Sequence, residues 1–320
     1  MSQHAEDSTN FATAPDIHTE EYWARKGEVD LYLFRKFSPG ARRAELPVVF
    51  LVHGSSFSAR TSYDLEIPEH GEYSLMNVLA TRGYDVWTMD HEGYGKSTRT
   101  NGFSDIDDGV DDLAAAMPLV FERAQCKRVS LFGTSSGALR AGRFANQYPE
   151  KVAQLILAAH VWTGAGSPTL ARRKERLSEW QATNRRAADR AFYAGVFSRD
   201  VEGLTVPALA ELAADAELRN GGGSVPNGTY VDMCTRLPLV DPEQLRCPVM
   251  IFRGDHDGIA TDEDVLAFFA RIPHGDKQFV MCSGQAHNTS LGLNRHRFWH
   301  ALDAFLRTPA RVDALQTQQE

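Results

Sequence analysis

Short apolar runs alternate with longer stretches of helical periodicity along most of this chain. Six runs read as strands: Val48–His53, Tyr84–Asp90, Arg128–Phe132, Gln154–Ala159, Pro248–Arg253 and Lys277–Met281. Several are continuously apolar, as befits central strands covered on both faces, and this predicts a mostly parallel sheet. Glu28–Phe37 alternates instead, which predicts an edge strand. Between the strands, apolar residues recur three and four positions apart over Ser74–Arg82, Ile106–Ala124, Ser136–Tyr148, Asp262–Arg271 and Arg295–Leu306, predicting helices. Strands in alternation with helices define the α/β class, with a central sheet flanked by helices.

The alternation breaks once. From Val161 to Cys247 no strong strand appears; Ser167-Pro168 marks a helix start and a charged helical stretch follows. We read this stretch as an inserted helical cap. The expected organisation is a disordered N-terminal segment at 1–18, a core in two parts at 19–162 and 244–308, a cap at 163–243 and a flexible tail at 309–320. The glycine-rich Asn220–Gly228 is expected to be either a hinge for the cap or a surface turn. No repeat with a period of about 20 to 50 residues is present, which excludes solenoids and propellers.

Composition narrows the function classes. Hydrophobic residues make up 42% and charged residues 24% of the 320 positions, which excludes disorder, collagen and coiled coil as the main architecture. No apolar run approaches the roughly 18 residues of a membrane span, and Met1–Glu20 has no signal-peptide pattern, so a cytoplasmic location is expected. Thirty-four Lys and Arg against 42 Asp and Glu leave a net charge of −8. An acidic balance repels phosphate backbones and anionic lipid, so neither nucleic acid nor membrane is expected as a partner. Cys126, Cys234, Cys247 and Cys282 form no C-x-x-C pair and suit neither a disulfide framework nor zinc. Neither a metal nor a cofactor is expected.

The chemistry is concentrated at strand ends. Gly133-Thr134-Ser135-Ser136-Gly137 is a G-x-S-x-G sequence that follows the apolar Val129–Phe132 and opens a helix, the context of a nucleophile elbow. Glycines two before and two after the serine leave room for a strained turn that exposes the Ser135 hydroxyl. A serine needs a base, and the base needs a carboxylate to hold its tautomer. Gly254-Asp255-His256-Asp257 follows the fifth strand and Gly284-Gln285-Ala286-His287 the sixth, giving the chain order Ser, Asp, His. Of the two acids Asp257, further out in the loop, is preferred as the orienting group; Asp255 is assigned to pinning the turn. His256, His274, His296 and His300 read as turn or surface residues.

The backbone N–H of Ser136 and that of Ser55, in His53-Gly54-Ser55-Ser56, are the candidate oxyanion donors. Ser56 is a possible polar helper. Phe57, Tyr63 and Trp162 are candidates for pocket walls, or equally for core packing. Asp90–Ser97 reads as structural, since its Gly95-Lys96-Ser97 lacks the upstream glycine of a phosphate loop. The arginine-rich Thr169–Phe197 reads first as a solvated charged face; the alternative is that one arginine turns inward toward an anionic substrate.

His53-Gly54, Asp90–Ser97, Gly133–Gly137, Gly254–Asp257 and Gly284–His287, in that order, resemble the motifs of the α/β-hydrolase fold superfamily, in its capped, epoxide-hydrolase-like and esterase-like branch. The resemblance covers roughly residues 28–308. Members of that branch that open epoxides or remove halides use aspartate as nucleophile; serine at 135 disfavours those reactions and implies an acyl-enzyme. The resemblance therefore implies hydrolysis of a small ester or lactone, with Ser135 attacking, His287 moving the proton and Asp257 orienting it. A carbon–carbon bond hydrolase or lyase of the same fold, or a non-catalytic small-molecule binder, are the alternatives.

Overall fold

The computed structural model describes residues 16–39 and 46–309. The expectations for the two ends therefore fall outside the described residues, apart from residues 16–18 and 309.

The chain opens with strands β1 (His18–Lys26) and β2 (Val29–Phe37), followed by β3 (Val48–Val52), helices α1 (Ala59–Tyr63) and α2 (Leu75–Thr81), and β4 (Asp85–Met89). Then come α3 (Ile106–Ala124), β5 (Val129–Thr134), α4 (Ser136–Gln147) and β6 (Val152–Ala158). An insertion holds α5 (Pro168–Glu175), α6 (Leu177–Ala182), β7 (Arg185–Ala187), α7 (Arg190–Ser198), α8 (Ala208–Arg219), β8 (Ser224–Pro226) and α9 (Gly228–Thr235). The chain returns through β9 (Val249–Gly254), α10 (Asp262–Arg271), β10 (Lys277–Cys282) and α11 (Arg295–Leu306).

Eight strands form one sheet in the order β1-β2-β4-β3-β5-β6-β9-β10. The two pairings of β2 are antiparallel and the rest are parallel. The apolar runs do what their continuity predicted. In β3, Val48, Phe50 and Val52 join one core layer while Val49 and Leu51 join the layer on the other face. Helices α3 and α4 cover the first face; α2 and α11 cover the second. The predicted helix limits hold to within one residue, and at α2 the Ser74 side chain caps the Asn77 N–H at 3.0 Å.

Glu28–Phe37 is not the edge strand. β1 lies outside it, in a hairpin turned at Gly27, whose φ of 57° suits glycine. Its apolar alternation is masked because the less exposed positions are Glu20, Tyr22, Ala24 and Lys26, two of them charged. Those charges are matched inside the fold. Lys26 Nζ reaches Asp112 at 2.5 Å and Glu92 at 2.9 Å, and Glu20 accepts from Arg35 Nη1 at 2.7 Å.

The insertion is also less uniform than its charge pattern predicted. The helix start at Ser167 is real, its Oγ accepting from the Leu170 N–H at 3.2 Å, but the charged stretch then breaks into α5, α6, the short strand β7 and α7. Nor is Asn220–Gly228 an open loop. Ser224–Pro226 pairs antiparallel with β7, and Asn227 Nδ2 donates to the Thr183 carbonyl at 2.9 Å. The three glycines hid a strand too short to carry a periodicity of its own. Tyr193, Phe197, Leu209 and Ala213 from α7 and α8 pack on Phe57, Leu65 and Tyr73 from the segments that follow β3. No helix among the described residues is long and apolar enough to cross a membrane.

Arg35 is fully buried, donating to both oxygens of the equally buried Asp85 at 2.8 and 2.6 Å and lying over the Phe37 and Trp87 rings. Breaking such a pair leaves a buried charge unmatched. Arg35→Met is expected to destabilise the protein by about 3–5 kcal/mol in a urea titration, and Arg35→Met with Asp85→Asn by clearly less. Equal losses for the two proteins would contradict the reading of Asp85 as the buried charge that Arg35 neutralises.

Candidate active site

Strand β5 ends at Thr134 and α4 begins at Ser136, so Ser135 alone makes the turn between them. Its φ of 56° and ψ of −126° are strained for a residue with a side chain. Three hydrogen bonds hold the strain: the Ser135 N–H donates to Ala158 O at 3.0 Å, and its carbonyl accepts from the Ala138 and Leu139 N–H groups. The flanking glycines are required by their surroundings. A Cβ on Gly133 would collide with the Gly137 carbonyl, and one on Gly137 with the carbonyls of Val52 and His53. The helix therefore passes directly against the end of β3.

Asp257 and His287 reach the same end of the sheet from the loops after β9 and β10. His287 Nδ1 and Asp257 Oδ1 are 2.9 Å apart, and both side chains are buried. The same carboxylate oxygen accepts from the Ile259 N–H at 2.8 Å and the Ala260 N–H at 3.3 Å. Burial pushes the Asp257 carboxyl upward, but His287, the Ile259 N–H and the charge of Arg199 outweigh it and hold the group below its ordinary value. With the carboxylate ionised, Nδ1 carries the proton and Nε2 is the ring nitrogen left for other chemistry. Asp255 does something different. Its oxygens accept from the Gly284 and Gln285 N–H groups at 3.1 Å each, tying the loop of Asp257 to the loop of His287.

The loop after β3 is shaped by a second histidine. The His91 N–H donates to His53 Nε2 at 3.1 Å, so the His53 proton sits on Nδ1, which donates to Gly54 O at 2.7 Å. Burial, helped by the neighbouring His91 and Arg140, keeps His53 far below the usual imidazole value and hence neutral. The Ser55 carbonyl accepts from Arg186 Nη2 at 3.0 Å and from the Tyr94 hydroxyl at 3.3 Å. Ser136 is wholly buried at the first position of α4, where an N–H has no acceptor within the helix.

Ser55, Ser56, Phe57, Ser135 and His287 line one small cavity of about 40 Å³. The structure does not bring Tyr63 and Trp162 to it. The Tyr63 hydroxyl donates to Val52 O at 2.7 Å and its ring packs on Phe132 within the core. Trp162 is turned away because Asp264, at the start of α10, gathers the N–H groups of Trp162, Thr163 and Gly164. Its ring then lies against Phe268 and Arg271 beside a separate cavity.

The insertion supplies Arg173, which lies in the arginine-rich stretch whose alternative reading is an inward-turned arginine, and Arg199, which lies beyond that stretch. Arg173 and Arg199 line the small cavity and, with Ser56 and Val196, are shared with an adjoining cavity of about 650 Å³. Arg199 grips both oxygens of Asp200 at 2.8 Å, and Asp200 Oδ2 accepts from the His287 backbone N–H at 3.3 Å. A Cβ on Gly258 would strike Asp200 Oδ1, so this carboxylate also lies against the loop of Asp257. The only sequence signal was the arginine richness of the insertion.

Residues 69–291 match the family described as serine aminopeptidase, S33. The chain belongs to that family. It has the α/β-hydrolase fold and is a hydrolase of that superfamily. Bromoperoxidase from Bacillus anthracis superposes with a TM-score of 0.66 at 20% identity, over 90% of this chain and 100% of that one. A thermophilic esterase from Thermogutta terrifontis gives 0.64 at 21% identity over 91% and 98%. The 2-hydroxy-6-oxo-6-phenylhexa-2,4-dienoate hydrolase of Rhodococcus sp. strain RHA1 gives 0.63 at 16% over 91% and 99%. Identities this low speak for the fold alone. No curated protein sequence matches the chain.

Two outcomes follow from this α/β-hydrolase geometry. Gly137→Ala forces two backbone segments apart and is expected to abolish soluble folded protein or to lower the midpoint of thermal unfolding by many degrees. An unchanged melt by circular dichroism would contradict the close approach. Burial alone would raise the Tyr230 phenol, but the charges of Arg173, Arg186 and Arg199 and a hydrogen bond with Ser56 bring it down to about 7. Ultraviolet difference titration is therefore expected to find one tyrosinate forming near neutral pH, lost in Tyr230→Phe, well before the other tyrosines ionise.

Proposed function

We propose that this protein is a serine hydrolase cleaving a small carboxylic ester or lactone through an acyl-enzyme on Ser135. The observation that carries the reading is a carboxylate-bound histidine, His287 with Asp257 at 2.9 Å, on the same cavity as a serine held in a strained turn at a helix N-terminus. His287 Nε2 takes the Ser135 proton as Oγ attacks the carbonyl carbon, and returns it to the leaving alcohol. Water then attacks the acyl-enzyme by the same route, releasing the acid and restoring Ser135. The N–H groups of Ser55 and Ser136 receive the negative charge that develops on the carbonyl oxygen. Residues 163–243 act as a cap over a core formed by 19–162 and 244–308. The substrate is a small molecule, and neither metal nor cofactor enters the reaction.

The family's name raises a peptidase reading. An aminopeptidase must hold a protonated substrate amine, and an amine is best held by carboxylates. The cavity next to Ser135 is lined by arginines instead, which favours an ester whose ends are neutral or anionic.

A fluorophosphonate probe tests the nucleophile. Wild-type protein is expected to gain one label and Ser135→Ala none; absence of label, or equal label on both, would overturn the reading. A series of p-nitrophenyl esters of different acyl length tests the reaction class, and labelling without turnover on any of them moves the assignment to carbon–carbon bond chemistry. Asp257→Asn is expected to lower turnover by about 10⁴ through the wrong histidine tautomer. Asp255→Ala removes two loop bonds and is expected to lower the melting temperature with a much smaller loss of rate. The opposite ranking would exchange the two roles.

A further inference from the structure

The 650 Å³ cavity that adjoins Ser135 is lined by five arginines and a single glutamate, in a chain whose net charge is −8. Two of the arginines are matched: Arg176 pairs with Glu179 and Arg199 with Asp200. Arg186, 8% exposed, is bonded but not neutralised, donating to the carbonyls of Pro226 and Ser55 and to Asn227 Oδ1. Arg172 is exposed and donates to Thr169 Oγ1 at 3.4 Å, whereas Arg173 is buried with no acid paired to it among the described residues. Arg173 is 9% exposed, and among the described residues its contacts are the Tyr230 ring, 3.8 Å from the guanidinium carbon, and Met233 Sδ at 4.0 Å from Nη1.

A buried guanidinium without an anion is unfavourable, and it persists only where something else in the fold, or a ligand, compensates. Here burial, and after it the nearby Arg199 and Arg186, push Arg173 below its ordinary value; the Tyr230 phenol and the Cys234 thiol oppose this. One half-ionised phenol cannot neutralise both Arg173 and Arg186. The site thus holds surplus positive charge, facing both the large cavity and the small one that contains Ser135 and His287. Trp180, Phe192 and Val196 supply apolar wall beside it.

We propose that Arg173, supported by Arg186, binds a free carboxylate on the substrate, so that the preferred substrates are esters that carry a second, ionised acid group. This rests on the hydrolase reading above and names its substrate class. The carboxylate is held in the large cavity while the ester carbonyl reaches Ser135 through the shared boundary. Either the acyl or the alcohol half can carry the acid, and the two are told apart by experiment.

The test compares matched pairs at pH 8: monobutyl adipate against butyl hexanoate for an acid on the acyl half, and 4-butyryloxybenzoate against phenyl butyrate for an acid on the alcohol half. In at least one pair the anionic ester is expected to have a kcat/KM about tenfold or more above its neutral partner, chiefly through KM, as a charge-assisted contact provides. Arg173→Met is expected to collapse that ratio, and Arg173→Lys to retain part of it. A measurement on the wild-type protein does not depend on the folding of Arg173→Met: adipate or benzoate is expected to slow fluorophosphonate labelling of Ser135, more so than hexanamide or benzamide. Equal or inverted ratios in both pairs, or a ratio that survives Arg173→Met, would overturn the carboxylate site. Failure of labelling itself would overturn the hydrolase reading instead, so the two failures are separable.

Discussion

The close backbone crossing at the elbow is the constraint on which the rest of the site depends. Where α4 leaves Ser135 it passes the end of β3 with no space for a Cβ on Gly137, and Gly133 is pressed in the same way against the turn of the helix. Because of that crossing, the loop of Gly54 and Ser55 sits beside the serine. Strand order then completes the arrangement. β9 and β10 run parallel to β5 and β6, so the loops after them open at the same end of the sheet and carry Asp257 and His287 there.

The central strands were legible in the sequence because both of their faces are buried, which leaves an uninterrupted apolar run. The helices were legible because one face meets that sheet. β1 was not, since its inward positions include Glu20 and Lys26, whose partners Arg35, Glu92 and Asp112 are distant in sequence. The same distinction divides the candidate site. Ser135, Asp257 and His287 were readable because each is tied to a strand end by a local motif. For Tyr63 and Trp162 the sequence left pocket wall and packing open, and the structure takes packing, because hydrogen bonds to Val52 and Asp264 turn each ring elsewhere. Arg173, Arg199 and Tyr230 meet only through the packing of separate helices, and nothing in their spacing announces it.

Net charge and local charge run in opposite directions in this molecule. The chain as a whole is acidic, yet five of the fourteen residues lining the larger cavity beside the Ser135 cavity are arginines. A polyanion approaching from solution meets the overall field, whereas a small anion inside the cavity meets the local one. The long-range field and the charge inside the cavity are thus set by different residues.

Asp200 touches the loop of Asp257 through Gly258 and the backbone of His287 through its N–H, while its own charge is held by Arg199. The insertion is therefore a structural neighbour of the His287–Asp257 pair. A graft that exchanged this insertion for one from a relative, in the hope of transplanting specificity alone, would also remove the support beneath His287. Modular exchange in this scaffold has to preserve Arg199 and Asp200, which directly follow α7, even where the rest of the insertion is replaced.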